Sequence, residues 1–186
     1  MNESLNSIRN RRSTRSYLPE QIKDEELKAI VDAGIYAPSA TNKQPWHFTV
    51  VQSKEIIDRL SDEFKEIAKK SDNEYIKKYG QNEKFHVFYN APTVILVSGD
   101  ENNNYASIDC AAAMENMLIA AESLDIGSCW IGFIAYLLNS EEGKQFVKEL
   151  GIPDGFKQIH SVALGYKKLS SAKAPARKEN TVNYIK

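Results

Sequence analysis

A chain of 186 residues, 42% of them hydrophobic, is long enough to bury one sizeable core, and this length favours one domain over two. Its 24 basic and 25 acidic residues leave a formal net charge of -1, so no global field would draw it to nucleic acid or to an anionic membrane. No signal-like segment and no membrane-length apolar run is present in the sequence. We therefore expect a soluble, cytoplasmic protein with neither a nucleic-acid nor a membrane partner.

The cysteines and histidines suggest neither a disulfide framework nor a metal centre. Cys110 and Cys129 form no paired motif, which indicates reduced thiols. His47, His86 and His160 lack the spacing of a metal site, so no metal is expected. His160 falls within a predicted core strand and is interpreted as a structural histidine.

The first segment with a chemical signature is Arg11-Arg12-Ser13-Thr14-Arg15, which follows a short helix predicted from Ser4 to Asn10. A guanidinium offers a planar fork of donors that suits phosphate, and short hydroxyls can reach phosphate or sugar oxygens. Basic runs are also typical of solvated surfaces and of nucleic-acid patches. The segment alone leaves these interpretations open.

The next elements are a helix and a strand separated by a loop. Asp24 is predicted to cap a helix from Glu25 to Tyr36, and Pro38 stops it. The polar loop 37–46 then leads into a strand predicted at His47–Val51. Within that loop, the amides at positions 42 and 44 each carry a donor and an acceptor, the pairing that a uracil-like edge requires. An ordinary turn is the alternative interpretation.

Together, segments 11–15 and 37–48 resemble the FMN-dependent nitroreductase family, and the resemblance extends over nearly the whole chain. It implies an α+β fold in which helices flank a central mixed, mostly antiparallel β-sheet. It also implies that residues 1–186 form a single domain and that two chains intertwine as a homodimer, exchanging C-terminal strands. Two FMN molecules would lie at the dimer interface.

The resemblance also implies roles for individual residues. Arg11 would contact the FMN phosphate, while Ser13 and Arg15 would reach the ribityl chain and the N1/O2 side of the isoalloxazine. Arg12 would contribute through its backbone or to the phosphate. The partner chain would supply contacts from the backbone of Pro38, Ser39 and Ala40 and from the side chains of Asn42 and Gln44.

The middle of the chain is predicted with uneven clarity. Apolar residues recur at helical spacing from Lys54 to Lys70, which indicates an amphipathic surface helix. The polar segment 71–84, rich in Tyr and Lys, gives little prediction. Larger family members carry an asparagine near here that contacts the flavin ring, and Asn82 and Lys84 are the two candidate counterparts.

Two strongly apolar segments follow. The continuous β-branched run Thr93–Val97 is typical of a strand that is buried on both faces. Ile108–Leu124 is predicted to be a helix that is apolar on more than one stripe, which argues against a surface position. In the family the corresponding helix packs at the centre of the dimer. The apolar character of Ile108–Leu124 is therefore explained either by packing in the core or by contact with the partner chain, and both interpretations stay open.

A short strand is predicted at Gly127–Phe133. The resemblance implies that the end of this strand brings backbone N–H groups of Ile131 and Gly132 close to N5 and O4 of the flavin. From the pattern alone, a buried strand with a glycine turn is an equal alternative. Cys129 is interpreted as a packing residue because no neighbour in sequence would lower its pKa.

The last elements precede a change in composition. Ser140 is predicted to cap a helix that extends through Leu150, and Gln158–Gly165 is predicted to be a core strand. Residues 167–186 form a polar arm that becomes strand-like at 181–185. The resemblance implies that this arm crosses to the partner and adds a strand to its sheet.

Family members carry a phosphate-binding basic pair in this arm. Arg177 matches the second member of the pair, whereas Pro175 occupies the first position. Lys173 must therefore substitute for the missing basic residue, or that contact is lost.

The resemblance implies an oxidoreductase that uses FMN and either NADH or NADPH. It would reduce nitroaromatic or quinone-like small molecules in a two-electron ping-pong cycle, without a dedicated catalytic acid, base or nucleophile from the protein. Reductive dehalogenation, enoate reduction and flavin fragmentation are alternatives on the same scaffold. A non-enzymatic flavin-binding protein and a nucleic-acid binder are the alternatives outside enzymes.

Overall fold

The computed structural model describes residues 2–169 and 173–186. Its helices and strands follow one another with short connections. In chain order, the elements are α1 (Glu3–Asn10), α2 (Asp24–Ile35), a short 3-10 turn (Ala40–Asn42), β1 (Trp46–Val51), α3 (Lys54–Lys69), α4 (Glu74–Gly80), β2 (Thr93–Asp100), α5 (Ala106–Ser123), β3 (Ile126–Ile131), α6 (Ile134–Leu138), α7 (Lys144–Glu149) and β4 (Phe156–Tyr166). Within these residues, no helix is both long and apolar enough to cross a membrane.

The four strands form one sheet in the order β1-β2-β4-β3, and each neighbouring pair is antiparallel. A parallel bridge between Ser13 and Ser128 continues the hydrogen bonding beyond β3. The α+β fold with helices around a mostly antiparallel sheet is thus confirmed. β2 and β4 take the central places: β2 is buried at seven of its eight positions, and the second half of β4 is apolar and buried in the same way.

Helices cover both faces of the sheet. Alternate residues of β2 point to opposite faces, as the pleat of a strand requires. Val94 and Leu96 pack in the core that includes α3, α4 and α6, whereas Ile95 and Val97 pack in the core that includes α2 and α5. The prediction that this apolar run is buried on both faces is therefore confirmed.

Helix α5 has buried residues along its whole length, as its sequence predicts. α2 packs closely against it at Gly34, where an added methyl group would lie 3.0 Å from the Cγ atom of Met117. Ile108, near the start of α5, remains 64% exposed. The helix therefore serves the core and also carries an apolar side chain at the surface.

Some predicted elements have different bounds in the structure. The N-cap residue of α2 is Lys23 rather than Asp24, which is the first residue of the helix. The backbone N–H of Lys23 donates to the Glu26 carboxylate at 3.0 Å. The predicted helix after Ser140 is only Lys144–Glu149, because the Ser140 hydroxyl closes a preceding turn by accepting from Gly143 N at 3.3 Å. α4, in the polar segment 71–84, was not predicted because only Ile76 and Gly80 are buried in it.

The two ends of the chain differ in how they meet the sheet. Backbone bonds join Thr14 N to Ser128 O and Leu18 N to Tyr166 O, both at 2.9 Å. The buried Tyr17 hydroxyl donates to Thr14 O at 2.7 Å and so reinforces this connection. By contrast, residues 173–186 are exposed and form neither helix nor strand. The strand predicted at 181–185 therefore does not form within one protomer.

Candidate functional site

The arginine segment begins where α1 ends. Arg11 is half-buried, and its Nε lies 4.0 Å from a carboxylate oxygen of Glu115 on α5. This is a long ion pair, so it leaves much of the hydrogen-bonding capacity of Arg11 available. The Arg12 guanidinium instead turns back onto α1 and donates to Arg9 O at 2.8 Å and Arg11 O at 2.6 Å. Arg12 thus closes the C-terminal end of the helix.

Ser13 and Arg15 are both exposed, on the strand-like segment that lies beside β3. The Arg15 guanidinium lies 5.6 Å from the centre of the Tyr89 ring, a cation–π distance. Interaction with the Tyr89 hydroxyl is the main cause that raises the pKa of Arg15, against the opposing effect of burial. Arg15 is therefore a fixed positive charge with an aromatic support.

Cys129 lies beneath this segment and is buried. Burial raises the pKa of its thiol, although the positive charge of Arg15 acts in the opposite direction. A thiol with a raised pKa is a poor nucleophile at neutral pH. The interpretation of Cys129 as a packing residue agrees with this environment.

Arg15 lies at a cavity of about 360 Å³, which we call the Arg15 cavity. Its volume is near the lower limit of small-molecule sites. Aromatic side chains form most of the wall. The lining residues are Arg15, Tyr75, Tyr79, Val87, Tyr89, Trp130, Ile131, Gly132 and Phe133.

Three of the residues predicted for the ring of the cofactor, Arg15, Ile131 and Gly132, thus meet at one cavity. An added Cβ at Gly132 would meet nothing within 4 Å, and the backbone there does not require glycine. The packing of this chain therefore does not explain the glycine. A missing side chain at a cavity wall leaves room for a flat ligand to approach the backbone.

The loop from Pro38 to Gln44 has an unusual backbone. Thr41, Asn42 and Gln44 have positive φ angles of 51°, 55° and 47°. The Ser39 hydroxyl accepts a hydrogen bond from Gln44 N at 2.9 Å, and the Gln44 amide donates to Asn42 Oδ1 at 3.2 Å. The two amide side chains that were predicted to bind the cofactor are therefore close together and exposed.

A carboxylate that the sequence reading did not single out holds this loop. Asp109, on α5, is only 5% exposed and accepts from Ala40 N at 3.2 Å through both carboxylate oxygens. An acid in the apolar first half of α5 was the sequence signal for such a role, since acids are rarely buried without a partner. Among the described residues that line the Arg15 cavity, none belongs to the loop.

The remaining predicted residues lie in the tail. Lys173 and Arg177 are both exposed, in a segment without helix or strand. Asn82 and Lys84, the candidate counterparts of the family's asparagine, are also exposed and do not line the Arg15 cavity. Tyr75, Tyr79 and Tyr89 line it instead. The two tyrosines of α4 were not expected here because α4 was not predicted, and no sequence pattern singles out Tyr89, which lies in the turn before β2.

The fold is an antiparallel sheet covered by helices, and the site is a cationic, aromatic-lined cavity at the end of the edge strand β3. Such a cavity suits a flat ligand that carries negative charge. Comparisons with known proteins agree with this class. The family model described as the nitroreductase family matches residues 8–166, so the chain belongs to that family.

Individual relatives support the assignment. A nitroreductase from Bacteroides fragilis, solved with bound FMN, is 37% identical with a TM-score of 0.95, and all of each chain is covered. A nitroreductase from Desulfitobacterium hafniense, also with bound FMN, is 29% identical with a TM-score of 0.92 and the same full coverage. A protein of Archaeoglobus fulgidus, provisionally named NADH dehydrogenase/NAD(P)H nitroreductase, is 37% identical over 90% of this chain and 87% of its own length.

Proposed function

We propose that the protein is a cytoplasmic FMN-dependent oxidoreductase that uses NADH or NADPH to reduce nitroaromatic or quinone-like acceptors in a ping-pong cycle. The observation that carries this proposal is the meeting of Arg15, Ile131 and Gly132 at one aromatic-lined cavity. The names of the relatives support the cofactor and the electron donor. Both cysteines are free, as expected in a reducing compartment.

The donor set fits FMN at both of its ends. The N1/O2 side of the ring needs a cation, which Arg15 would supply. N5 and O4 would meet the backbone N–H groups of Ile131 and Gly132, which line the same cavity as Arg15. The phosphate needs guanidinium or ammonium groups, and Arg11 has only a long contact with Glu115. When bound, FMN supplies the exchange of electrons between the nicotinamide and the acceptor.

Arg15 would act by electrostatics. A positive charge beside the N1/O2 edge stabilises the negative charge that reduction places there. At about 4 Å and an effective dielectric constant near 20, such a pair contributes on the order of 4 kcal/mol before desolvation. The Tyr89 ring beneath the guanidinium holds the charge in place without neutralising it.

The other half of the site would come from a second copy of the chain. Large apolar side chains are exposed on α1, at the end of α2 and on α5, where a partner would cover them: Leu5, Ile8, Ile35, Tyr36 and Ile108. An apolar surface of this kind is typical of a permanent interface. In such a homodimer, residues Pro38–Gln44 of one protomer would face the Arg15 cavity of the other.

The tail would take part in the same assembly. Val182, Tyr184 and Ile185 are 62%, 83% and 99% exposed in one protomer, which is unusual for three large side chains in so short a segment. Residues 167–186 would form an arm that adds a strand to the partner's sheet, while residues 1–186 remain one domain. Lys173 and Arg177 would then reach the phosphate from this arm.

An absorbance spectrum of the purified, FMN-supplemented protein tests the proposal directly. After removal of free FMN, we expect a retained flavin spectrum that bleaches under anaerobic NADH or NADPH and returns when a quinone or nitroaromatic is added. Steady-state rates should give parallel double-reciprocal lines. Protein that retains no flavin would refute the proposal, and product analysis separates nitro reduction from dehalogenation, enoate reduction and flavin fragmentation.

A further inference from the structure

Helix α4 brings two tyrosines to the Arg15 cavity. Tyr75 and Tyr79 lie one turn apart on the helix, so their side chains share a face. Their ring centres are 5.2 Å apart at an interplanar angle of 79°. Both line the cavity that also contains Arg15 and Gly132. They are therefore polar groups within reach of any ligand that fills it.

The two hydroxyl groups are hydrogen-bonded to each other at an O···O distance of 3.1 Å. Either oxygen can be the donor of this bond. Because each hydroxyl carries one hydrogen, the bond uses only one of the two. Whichever direction it takes, one O–H remains available to a ligand.

Tyr79 is the better placed of the two. It is half-buried, whereas Tyr75 is 61% exposed. The hydrogen bond with Tyr75 is the main cause that raises the pKa of Tyr79, and the charge of Arg15 acts weakly in the opposite direction. Tyr79 therefore stays protonated at neutral pH, and it lines the same cavity as Arg15.

The position of Tyr79 is fixed by packing. Its ring centre lies 4.7 Å from that of Phe85 and 4.8 Å from that of Phe133. The next residue, Gly80, sits so close to α3 that an added methyl group would overlap the backbone of Lys69 and Ala68. Glycine thus allows α4 to approach α3 and fixes the tyrosine. A donor held in this way is preorganised for its ligand.

We propose that the Tyr75–Tyr79 hydroxyl pair binds the O2/N3 edge of the FMN ring, with Tyr79 as the direct hydrogen-bond donor. This inference rests on the proposed function. Arg15 is assigned to the N1/O2 side of the ring, and Tyr79 is its neighbour at the cavity wall. Asn82 and Lys84, the other candidates in this part of the chain, do not line the cavity.

The pair would favour the reduced cofactor. Reduction adds negative charge at the N1/O2 edge, and a hydrogen bond to a charged oxygen is stronger than one to a neutral oxygen. Loss of the Tyr79 hydroxyl should therefore weaken the binding of reduced FMN more than that of oxidised FMN. Tyr75 should matter less, because Tyr79 keeps its own O–H when Tyr75 is removed.

The test compares Tyr79→Phe, Tyr75→Phe and a control, Tyr166→Phe, in the FMN-loaded protein. The control removes a tyrosine hydroxyl that donates to Glu26 at 2.7 Å on another part of the structure. The readouts are the dissociation constant of oxidised FMN by flavin fluorescence, and the midpoint potential by spectroscopic redox titration. Urea unfolding of each variant verifies the fold.

For Tyr79→Phe we expect the dissociation constant of oxidised FMN to rise roughly two- to tenfold. The affinity for reduced FMN should fall up to about tenfold further, which lowers the midpoint potential by up to about 30 mV. Tyr75→Phe should cause a smaller shift in the same direction. Tyr166→Phe should leave both quantities unchanged.

Equal potentials in Tyr79→Phe and wild type would overturn the inference. So would a change confined to the KM of a quinone acceptor, since the pair would then bind the acceptor rather than the cofactor. Failure of the wild type to bind FMN would refute the proposed function itself. That outcome is separate, because it is visible before any variant is made.

Discussion

The arginine segment 11–15 and the loop 38–44 are both assigned to one ligand, yet they are built in different ways. The arginine segment pairs with β3 and ends at the Arg15 cavity, so its geometry is set within one protomer. The loop is held from beneath by Asp109 and presents exposed amides. Among the residues the structure describes, none of the loop lines the Arg15 cavity.

This difference shows which half of the site can be understood from a single chain. The arginine segment has its aromatic neighbours in place, because Arg15 lies over Tyr89 at the wall of the Arg15 cavity. The loop has a fixed backbone and an open outer face, which is what a segment needs if it completes a site on another copy. Substitutions that affect only one of the two regions can test this division.

The largest effect is expected where the loop is anchored. Asp109→Ala removes the buried carboxylate and leaves the Ala40 N–H without its acceptor. Loss of a buried hydrogen bond to a charged group costs about 1.5–3 kcal/mol. We expect the free energy of unfolding, measured in urea, to fall by about that amount. Asp109→Asn, which keeps one acceptor oxygen, should lose less; equal losses would show that charge rather than hydrogen bonding holds the loop.

Within the arginine segment, two substitutions should have different effects. Arg11→Ala removes the guanidinium that we propose as a phosphate ligand and should weaken FMN binding roughly 10- to 100-fold, as expected for a charged hydrogen bond. Arg15→Ala should lower the midpoint potential of the bound flavin more than Arg11→Ala does, because, of the two, only Arg15 lines the cavity that we propose for the ring. Fluorescence titration and redox titration measure the two quantities. Equal potentials in the two variants would contradict the division of roles.

Gly132 offers a test of the cavity wall without a change in stability. An added Cβ at Gly132 meets no atom of the chain, so Gly132→Ala should change the free energy of unfolding by less than about 0.5 kcal/mol. FMN binding should nevertheless weaken several-fold, because the methyl group occupies ligand space. Gly80→Ala is the matched control and should destabilise the fold, since it forces α4 from α3. Unchanged FMN affinity in Gly132→Ala would place the ring elsewhere.

The smallest effect concerns the turn that carries Tyr89 beneath Arg15. His86 Nδ1 accepts hydrogen bonds from Phe88 N at 3.1 Å and Asn90 N at 3.2 Å, so protonation of this nitrogen would break both. Burial lowers the pKa of His86, partly opposed by Asp58, which lies 3.4 Å from Nε2. The charge of Lys54 also lowers the pKa of His86, whereas the charge of Asp62, like that of Asp58, raises it.

A lowered pKa fixes the sign of the pH dependence. The unfolded chain takes up a proton near the ordinary histidine value of about 6.5, whereas folded His86 does so only at lower pH. Its contribution to stability is therefore complete above about pH 6.5 and is lost as the pH falls towards the folded-state value. His86→Gln should flatten this slope in urea titrations. His160→Gln is the comparison, because burial also lowers the pKa of His160.

Much of the fold was predictable because its core segments carry strong local patterns. The β-branched run at Thr93–Val97 and the apolar helix at Ile108–Leu124 correspond to β2 and α5. The arginine segment was recognisable because its residue types and order are unusual. Such features are set by the segment itself and need no knowledge of the rest of the chain.

The missed parts depend on distant contacts. α4 is a short polar helix whose place is set by the fit of Gly80 against α3, and no local pattern reports that fit. Tyr75 and Tyr79 therefore could not be assigned to the Arg15 cavity from the sequence. Likewise, Asp109 is one turn inside an apolar helix, and its partner Ala40 is 69 residues away. Sequence spacing cannot show a pair of this kind.

The backbone of the loop has a consequence for attempts to engineer the protein. Thr41 is β-branched and adopts φ 51° and ψ 26°, a conformation that costs a residue of this type about 1–2 kcal/mol. Glycine at this position would remove most of that cost. Because glycine also has more freedom in the unfolded chain, Thr41→Gly should raise the melting temperature only slightly, at the expense of a more mobile loop.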